Sequence, residues 1–195
     1  MAPQALILPQ SFYNRNTLAV AEELLGKVFR RTISSSTLSG RIVETEAYIA
    51  KNDPACHAFN GRTDRNEIMF GPPGFAYVYF TYGMHYCLNF VTEPEGVAAA
   101  VLIRALEPIS GIETMKANRK TDKITNLCSG PAKLTQALSI TKEDNGLPLF
   151  EGNFLVEDDG FLDFDIVTTT RIGIRQGAEF PWRFYIKDSP YVSRK

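Results

Sequence analysis

Two segments with strong two-residue alternation constrain the fold more than any other feature of this chain. Arg41 to Ile49 is typical of a strand, and residues two apart on a strand share one face. Phe75 to Phe90 also alternates and has a Tyr-Gly pair at its centre, where glycine can supply the unusual backbone angles of a tight hairpin. We therefore expect an antiparallel sheet built around these two segments.

The first of these strands separates two kinds of side chain. One face is small and apolar, as a core requires, and consists of Val43, Thr45 and Ala47. The other face carries two acids and a phenol, and consists of Ile42, Glu44, Glu46 and Tyr48. A half-buried strand normally avoids such groups unless water, a partner or a substrate receives them. Carboxylates and an aromatic ring on one face therefore indicate an active site.

The remaining segments predict a mixed α/β (α+β) fold with a mainly antiparallel sheet. Asn16 to Leu25 has apolar residues at helical spacing and is followed by a glycine. Further helices are predicted near Gly111 to Arg119 and near Pro131 to Ser139, with Ser129 as the cap of the second. The other predicted strands are Lys27 to Ser34, Val97 to Leu106, Asn153 to Val156, Asp165 to Thr170 and Trp182 to Ile186.

Composition is that of one ordinary globular domain spanning residues 1–195, with 44% hydrophobic and 22% charged residues. The three cysteines, Cys56, Cys87 and Cys128, are widely spaced and lack a C-x-x-C pair, so we expect buried thiols and no disulfide. Two histidines, His57 and His85, supply a metal site poorly, so no metal and no cofactor are expected. Because no signal peptide or bilayer-spanning stretch is recognisable, the expected location is cytoplasmic, with no membrane partner.

Charge is distributed unevenly along the chain, although the net charge is only −1. Residues 143–165 carry eight acids and no Lys or Arg, and from residue 166 to 195 the balance reverses. A further basic cluster consists of Lys116, Arg119, Lys120 and Lys123. An ordinary solvated surface explains any one of these clusters. The alternative is a basic face opposite an acidic one, which would allow nucleic-acid binding despite the neutral total.

Acidic residues are the strongest candidates for chemistry, because the sequence has no Ser-His-Asp motif, phosphate-binding glycine loop or dinucleotide fingerprint. Glu46 is the leading candidate, since a carboxylate in a half-buried pocket can take a proton from an attacking water. It could equally be a structural ion-pair partner of Arg104. Glu44 with Glu46 also suggests the two-carboxylate arrangement of carbohydrate glycosidases, although an outer or surface position for Glu44 is favoured. Tyrosines such as Tyr77 and Tyr86 are interpreted as core residues.

Ordered blocks through most of the chain resemble the alkyladenine (3-methyladenine) DNA glycosylase family, whose mammalian member excises alkylated purines and hypoxanthine. The most specific blocks are R-I-V-E-T-E-A-Y at 41–48, R-N at 65–66, M-F at 69–70, Y-V-Y at 77–79, Y-G-M at 82–84, L-I-R-A-L-E-P at 102–108, L-C-S-G-P-A-K-L at 127–134, R-I-G-I at 171–174 and R-F-Y-I-K-D-S-P-Y-V-S at 183–193. The family's fold is similar to the C-terminal domain of a formyltransferase, with a protruding hairpin and a curved sheet.

This resemblance implies a monofunctional base-excision enzyme that rotates a damaged purine out of duplex DNA and cleaves its N-glycosidic bond with water. Flipping is needed because the sugar carbon is inaccessible in the stacked duplex. The implied substrates are 3-methyladenine, 7-methylguanine, hypoxanthine and ethenoadenine. The implied partner is double-stranded DNA that contains damaged purines, and we expect the protein to act as a monomer.

The resemblance also implies a role for each matching residue. Glu46 matches the general base, and Arg104 with the backbone carbonyl of Ile172 helps to hold the nucleophilic water. The other matches are Tyr48, His57 and Tyr79 as the aromatic walls around the flipped base, Asn89 as the side chain that rejects guanine, and Tyr82 as the residue inserted into the minor groove. The backbone amide of His57 is the expected donor to a purine acceptor.

Two other classes of protein remain as alternatives. A non-catalytic nucleic-acid-binding module would explain the basic clusters and an exposed Tyr82, but it gives Glu46 and Arg104 no task. A small-molecule nucleoside or carbohydrate hydrolase would explain the carboxylates, but not a tyrosine at the hairpin tip. The consequence of replacing Tyr82 separates these alternatives from the glycosylase.

Overall fold

The computed structural model describes residues 5–81 and 83–194, and in them the chain forms ten strands and four helices. The strands are β1 (Leu6–Ile7), β2 (Val28–Ile33), β3 (Ser36–Ile49), β4 (Ala76–Thr81), β5 (His85–Val91), β6 (Ala99–Ser110), β7 (Phe150–Glu151), β8 (Phe154–Asp158), β9 (Ile166–Thr169) and β10 (Arg183–Ile186). The helices are α1 (Gln10–Tyr13), α2 (Thr17–Glu23), α3 (Ile112–Arg119) and α4 (Pro131–Ala137).

All ten strands belong to one sheet with the order β1-β8-β2-β3-β6-β5-β4, while β10 pairs with β3 and β9, and β7 pairs with β8. Every strand pair is antiparallel, which confirms the predicted class of fold. β3 and β6 are the longest strands and run side by side through the centre. The strand that carries the acids is therefore placed in the middle of the sheet.

The hairpin predicted around residues 82 and 83 is formed by β4 and β5, with Thr81 paired to His85. Gly83 has a φ of 69°, the left-handed value that glycine adopts without strain. The side chains of Phe80 and Met84 near the turn are 50% and 69% exposed. The hairpin thus presents apolar groups to solvent at its tip. Tyr82 itself lies outside the described residues.

Alternation on β3 holds from Glu44 onward but not before it. The prediction that Ile42 shares a face with the acids is wrong, because Ile42 and Val43 both belong to the main hydrophobic core. The pairing of β3 with β6 shifts register between Ile42 and Glu44, and again between Glu44 and Thr45. Such a shift changes the face on which neighbouring residues lie. The second shift leaves Arg104 between two paired positions of β6, at the level of the acids.

Helices cover the core side of the sheet close to their predicted positions. The side chain of Asn16 caps α2 by accepting hydrogen bonds from the backbone N–H groups of residues 18 and 19. α2 packs on β3, where the Thr45 hydroxyl donates to the carbonyl of Ala21 at 2.8 Å. The predicted cap of α4 is wrong, because Gly130 occupies that position and Ser129 Oγ instead accepts from Lys133 Nζ. Pro131 opens the helix as expected.

The three cysteines are buried and unpaired, as predicted. A smaller hydrophobic cluster lies apart from the main core and contains Cys56, Met69 and Tyr77, with Tyr48 and Tyr79 packed against it. The described residues contain no helix long and apolar enough to cross a membrane. They also contain no group of three His, Cys, Asp or Glu side chains placed to hold a metal ion.

Candidate active site

A cavity of about 450 Å³ opens between the β4–β5 hairpin, the loop after β3, strand β6, the start of α4 and residues 172–174. Ligand sites usually have volumes of about 300–1,000 Å³, and this cavity falls within that range. Six of the predicted site residues line this cavity: Tyr48, His57, Tyr79, Asn89, Arg104 and Ile172. Residues far apart in the sequence are thus brought to one place.

Glu46 lies behind the wall of this cavity rather than on its surface, and its side chain is fully buried. Oε1 accepts a hydrogen bond from the backbone N–H of Ile172 at 2.7 Å. Oε2 accepts from the Tyr48 hydroxyl at 2.8 Å and lies 3.2 Å from Arg104 Nη1. All three of these neighbours line the cavity, so the carboxylate stands directly behind them.

Burial raises the pKa of Glu46, because a charged carboxylate is poorly solvated there. The charge of Arg104 and the hydrogen bonds from Ile172 and Tyr48 act in the opposite direction. A carboxylate with a raised pKa is a stronger base than an ordinary glutamate, yet its three neighbours can keep it ionised. The site can therefore hold a proton acceptor next to a cavity wall.

Glu44 has a larger structural role than its sequence position indicated. A surface position was wrong, because the side chain is completely buried. Its Oε1 accepts from Arg104 Nε at 3.0 Å and from Arg183 Nε at 2.8 Å. The hydroxyl of Ser193 also donates to Oε1 at 2.9 Å, and the Ser193 backbone N–H donates to Oε2 at 2.6 Å. Glu44 thus joins the C-terminal segment to the arginine that contacts Glu46.

Arg104 contacts both carboxylates with different nitrogens, Nε toward Glu44 and Nη1 toward Glu46. Burial by itself would lower its pKa, but the two carboxylates raise the pKa above the usual value. The guanidinium is therefore charged and is fixed in orientation by Glu44. The ion pair with Glu46, which the sequence allowed as an alternative to catalysis, is present and is compatible with a catalytic role.

Aromatic rings form one side of the cavity. The rings of His57 and Tyr79 meet edge to face with their centroids 4.5 Å apart. His57 Nδ1 lies 3.0 Å from the hydroxyl of Tyr77, a residue that is buried as predicted but also lines the cavity. Partial burial and the positive charge of Arg65 lower the pKa of His57 to about 4, so the ring is neutral at pH 7. A neutral ring with one nitrogen bonded to Tyr77 has a fixed orientation.

The loop that carries His57 is held by Asn66, a buried side chain that belongs to the R-N block but to which the sequence gave no role. Asn66 Nδ2 donates to the backbone carbonyls of His57 and Gly61, both at 2.9 Å. Asn89 is held in a similar way, since its Nδ2 donates to the carbonyl of Tyr77 at 3.1 Å. The Asn89 amide therefore lines the cavity in a defined orientation.

A buried ion pair next to the site was also missed. Asp53 and Arg171 are both fully buried, and Arg171 Nη1 lies 2.6 Å from Asp53 Oδ2. The guanidinium carbon of Arg171 lies 4.7 Å from the centre of the Tyr48 ring. Asp53 precedes His57 in the loop, and Arg171 directly precedes Ile172. The only signal in the sequence was the R-I-G-I block, which gave no indication of the partner.

The basic cluster predicted from sequence lies partly beside the cavity. Lys116 and Arg119 are in the last turn of α3, and Lys116 pairs with Glu113. Partial burial and the charges of Arg119 and Lys123 lower the pKa of Lys133, so these three cations are close together. Lys133 is on α4, whose first residues line the cavity. Positive charge is therefore concentrated near one edge of the opening.

The acidic stretch from residue 143 to 165 does not form an isolated negative surface. Four of its acids form ion pairs with basic residues on β2, on β3 or directly before β2. The pairs are Lys27 with Asp158, Arg30 with Glu157, Arg31 with Asp144 and Arg41 with Asp159. The nitrogen–oxygen distances in these pairs are 2.7–2.8 Å. Three of these pairs hold β8 and the loop after it against the sheet, and the fourth holds the turn at Asp144.

Comparison with known proteins finds relatives over nearly the whole chain. The family model for methylpurine-DNA glycosylase (MPG) matches residues 11–190. A protein of Alkaliphilus oremlandii is 52% identical over 201 residues, covering 96% of this chain and 99% of the relative. Proteins of Carboxydothermus hydrogenoformans and Chlorobium luteolum are each 53% identical, over 97% and 96% of this chain and 100% and 96% of their own lengths. All three are named 3-methyladenine DNA glycosylase. The resemblance seen in the ordered sequence blocks is confirmed, and the chain belongs to the methylpurine-DNA glycosylase family.

Proposed function

We propose that this protein is a DNA repair glycosylase that hydrolyses the N-glycosidic bond of damaged purines in duplex DNA. The observation that carries the proposal is the position of Glu46, a buried carboxylate with a raised pKa behind the wall of an aromatic cavity. The family and the names of three close relatives support DNA glycosylase activity. The lesion, the flipped state and the role of each residue belong to the proposal.

The cavity suits a purine that has left the base stack. Tyr48, His57 and Tyr79 offer ring surfaces and edges on which a flat base can pack. A base inside a duplex is stacked and paired, so the nucleotide must rotate out before the base can enter a cavity. We propose that Tyr82, which directly follows β4 in the sequence, fills the space that the base leaves. The exposed Phe80 and Met84 place apolar groups at the same end of the hairpin.

Hydrolysis then needs one proton transfer and one displacement at the sugar. A water between the cavity and Glu46 attacks C1′ and gives its proton to the carboxylate, while the bond between C1′ and the purine nitrogen breaks. The electron pair of that bond leaves with the base, and the abasic sugar keeps the water's oxygen. Arg104 Nη1 is close enough to Glu46 to hold this water as well. We also propose the Ile172 carbonyl as an acceptor for the water, whereas its N–H is bonded to Glu46.

Lesions differ in how readily they leave. Alkylation at N3 or N7 makes a purine cationic, so the base departs as a neutral molecule. A cation is also attracted to aromatic faces by about 1–2 kcal/mol where water is excluded. Hypoxanthine and ethenoadenine are neutral, so hydrogen bonds must contribute more to their recognition. The His57 backbone amide is the donor that we propose for this purpose.

Selection against normal guanine is assigned to Asn89. Its side chain is buried, lines the cavity and is anchored to the Tyr77 carbonyl by Nδ2. An anchored amide cannot swing away when guanine, with its amino group at C2, enters. Rejection by crowding or by an unmatched hydrogen-bonding group is an efficient source of specificity. Adenine-derived lesions and hypoxanthine lack an amino group at C2.

The test is to identify the released base. Duplex oligonucleotides that carry 3-methyladenine, hypoxanthine or no lesion are incubated with the protein, and the free base and the abasic site are quantified by mass spectrometry. We expect release of the damaged base only, with an intact strand until alkali is added. Release from free nucleosides but not from duplexes would favour a small-molecule hydrolase. Duplex binding without release of any base would favour a binding module.

A companion variant tests the role of the hairpin. Tyr82→Ala is expected to reduce release from duplexes, because the gap left by the base is no longer filled. Phe161→Ala, which removes an exposed ring from the loop after β8, is the control and should leave release unchanged. Unchanged turnover of Tyr82→Ala on duplex lesions would show that the insertion role is wrong.

A further inference from the structure

The Asp53–Arg171 ion pair is the most enclosed charged contact in the described part of the chain, since both side chains have no exposed surface. Arg171 Nη1 and Nη2 donate to the two oxygens of Asp53 at 2.6 and 2.7 Å. The same two nitrogens donate to the backbone carbonyls of Ala47 and Gly177, both at 3.0 Å. Arg171 therefore connects the loop after β3, the strand β3 itself and the segment from 171 to 177.

Each end of this pair leads to a part of the candidate active site. Asp53 accepts from the backbone N–H of Ala55 at 3.1 Å, and its own carbonyl accepts from the N–H of Cys56 at 3.0 Å. These bonds fix the turn that leads to His57. At the other end, the residue after Arg171 is Ile172, whose N–H donates to Glu46.

The contact with Ala47 makes the placement more specific. Ala47 lies between Glu46 and Tyr48 on β3. Arg171 is therefore hydrogen-bonded to the backbone of the strand segment that carries Glu46, the proposed proton acceptor. The guanidinium also lies over the ring of Tyr48 at 4.7 Å. Arg171 is next to Ile172 in the chain and is hydrogen-bonded to Ala47, which is next to Glu46. The arginine thus sets the distance between the Ile172 amide and Glu46.

We propose that the Asp53–Arg171 pair positions the catalytic groups, by fixing the Ile172 amide on Glu46 and holding the His57 wall of the cavity at its correct distance. This inference rests on the proposed glycosylase function. A buried ion pair is by itself poor support for stability, because two apolar side chains of similar volume often stabilise a fold equally well. The four directed hydrogen bonds of Arg171 do what apolar packing cannot, because they fix orientation.

Gly177 shows how closely this arrangement is fitted. Its φ is +61°, and a Cβ placed there would lie 3.0 Å from both Arg171 Nη2 and Asp53 Oδ1. Any side chain at this position would therefore push on the ion pair. The backbone of the segment from 171 to 177 thus comes back into contact with the Arg171 side chain at Gly177, where only glycine leaves room for the ion pair.

The test is Arg171→Lys, measured by single-turnover release of a damaged base across a range of pH. Lysine keeps the positive charge but cannot make the four bonds, so the Ile172 amide is no longer fixed on Glu46. We expect release at neutral pH to fall by about 10- to 100-fold, the effect of a small misplacement of reacting groups. Because that amide lowers the pKa of Glu46, the acidic limb of the profile should also move to higher pH.

The pH profile separates positioning from simple loss of structure. The other charged or titratable groups that act on Glu46 are Glu44 and Tyr48 on β3, Cys87 on β5 and Arg104 on β6, and of these Tyr48 contacts Arg171 through its ring. The positive charge at position 171 is retained. A shift of the acidic limb therefore reports that Arg171 positions the two groups bonded to Glu46, the Ile172 amide and the Tyr48 hydroxyl.

Arg31→Lys is the matched control, because Arg31 also pairs with a largely buried acid, Asp144, at 2.8 Å but does not line the cavity. It should change neither the rate nor the profile. If Arg171→Lys does not melt cooperatively, Gly177→Ala is the second variant, because it displaces the ion pair while keeping both charges. It should also slow the release of the damaged base and move the acidic limb to higher pH. A variant that folds and keeps the wild-type rate and acidic limb would overturn the inference. A wild-type protein that releases no base would instead overturn the proposed function.

Discussion

Replacing Glu44 by Gln tests whether the carboxylate network behind the cavity supports the fold. Glu44 accepts hydrogen bonds from Arg104, Arg183 and the N–H and hydroxyl of Ser193, and has no exposed surface. Glutamine has nearly the same shape, but it removes the charge and turns one acceptor oxygen into a donor that faces other donors. Arg104 then keeps only its contact with Glu46, and Arg183 loses its ion pair with Glu44.

The expected loss of stability follows from this geometry. Removing one partner of a buried ion pair costs about 3–5 kcal/mol, because the remaining charge is uncompensated. A domain of this length loses about 2–4 °C of melting temperature for each kcal/mol. We therefore expect Glu44→Gln to melt about 6–20 °C below the wild type, and to release damaged bases slowly even when folded, since Arg104 loses its fixed orientation.

Thermal unfolding followed by circular dichroism measures this effect, with Glu23→Gln as the matched control. Glu23 makes a two-point contact with Arg15, but their side chains are 50% and 40% exposed. Surface pairs of this kind contribute about 0–1 kcal/mol. A melting temperature for Glu44→Gln that is lowered no more than that of Glu23→Gln would refute the reasoning about the network.

Three further outcomes follow from the site. Tyr48→Phe removes a hydrogen bond that lowers the pKa of Glu46, so the acidic limb of the rate profile should move to higher pH; an unmoved limb would mean that this bond is absent in solution. Asn89→Ser should increase release of normal guanine relative to hypoxanthine in a competition assay, and an unchanged ratio would remove Asn89 from the specificity mechanism. His57 has a folded pKa of about 4, below its ordinary value of 6.5, so unfolding takes up a proton once the pH falls below 6.5. This contribution to stability is present above pH 6.5 and is lost as the pH falls toward 4. The melting temperature of His57→Gln should therefore fall less than that of the wild type between pH 6.5 and pH 4. Parallel curves of melting temperature against pH for the two proteins would contradict the assignment.

Local sequence pattern predicted the elements that depend on neighbours in the chain. The alternation from Glu44 to Tyr48 placed two acids and a phenol together because a strand has a fixed period of two. Asn16 and the following apolar spacing predicted α2 for the same kind of reason. The Tyr-Gly pair located the turn between β4 and β5.

The errors came from partners that are distant in the chain. The burial of Glu44 depends on Arg183 and Ser193, which lie 139 and 149 positions away. Arg171 and Asp53 are 118 positions apart, and no local pattern pairs them. The position of Ile42 depended on a register shift that only the pairing with β6 determines.

His57 illustrates what resemblance added. The residue by itself indicated no role in a site, and only the family pattern assigned it to the wall around a flipped base. The structure places it there, held by Asn66 at its carbonyl and beside the Tyr77 hydroxyl at its ring. The physical reason is again a set of long-range contacts around the loop, which composition and periodicity do not contain.

The central claim is that Glu46 accepts the proton of the attacking water. The most direct measurement is single-turnover release of hypoxanthine or 3-methyladenine from a duplex by Glu46→Gln, with Glu67→Gln as the control at an exposed acid. Melting temperature and duplex affinity are measured on the same samples. We predict that Glu46→Gln folds and binds the duplex but releases base at least about 100-fold more slowly, as expected for loss of a general base. Release by Glu46→Gln at the rate of the wild type and of Glu67→Gln would contradict the account.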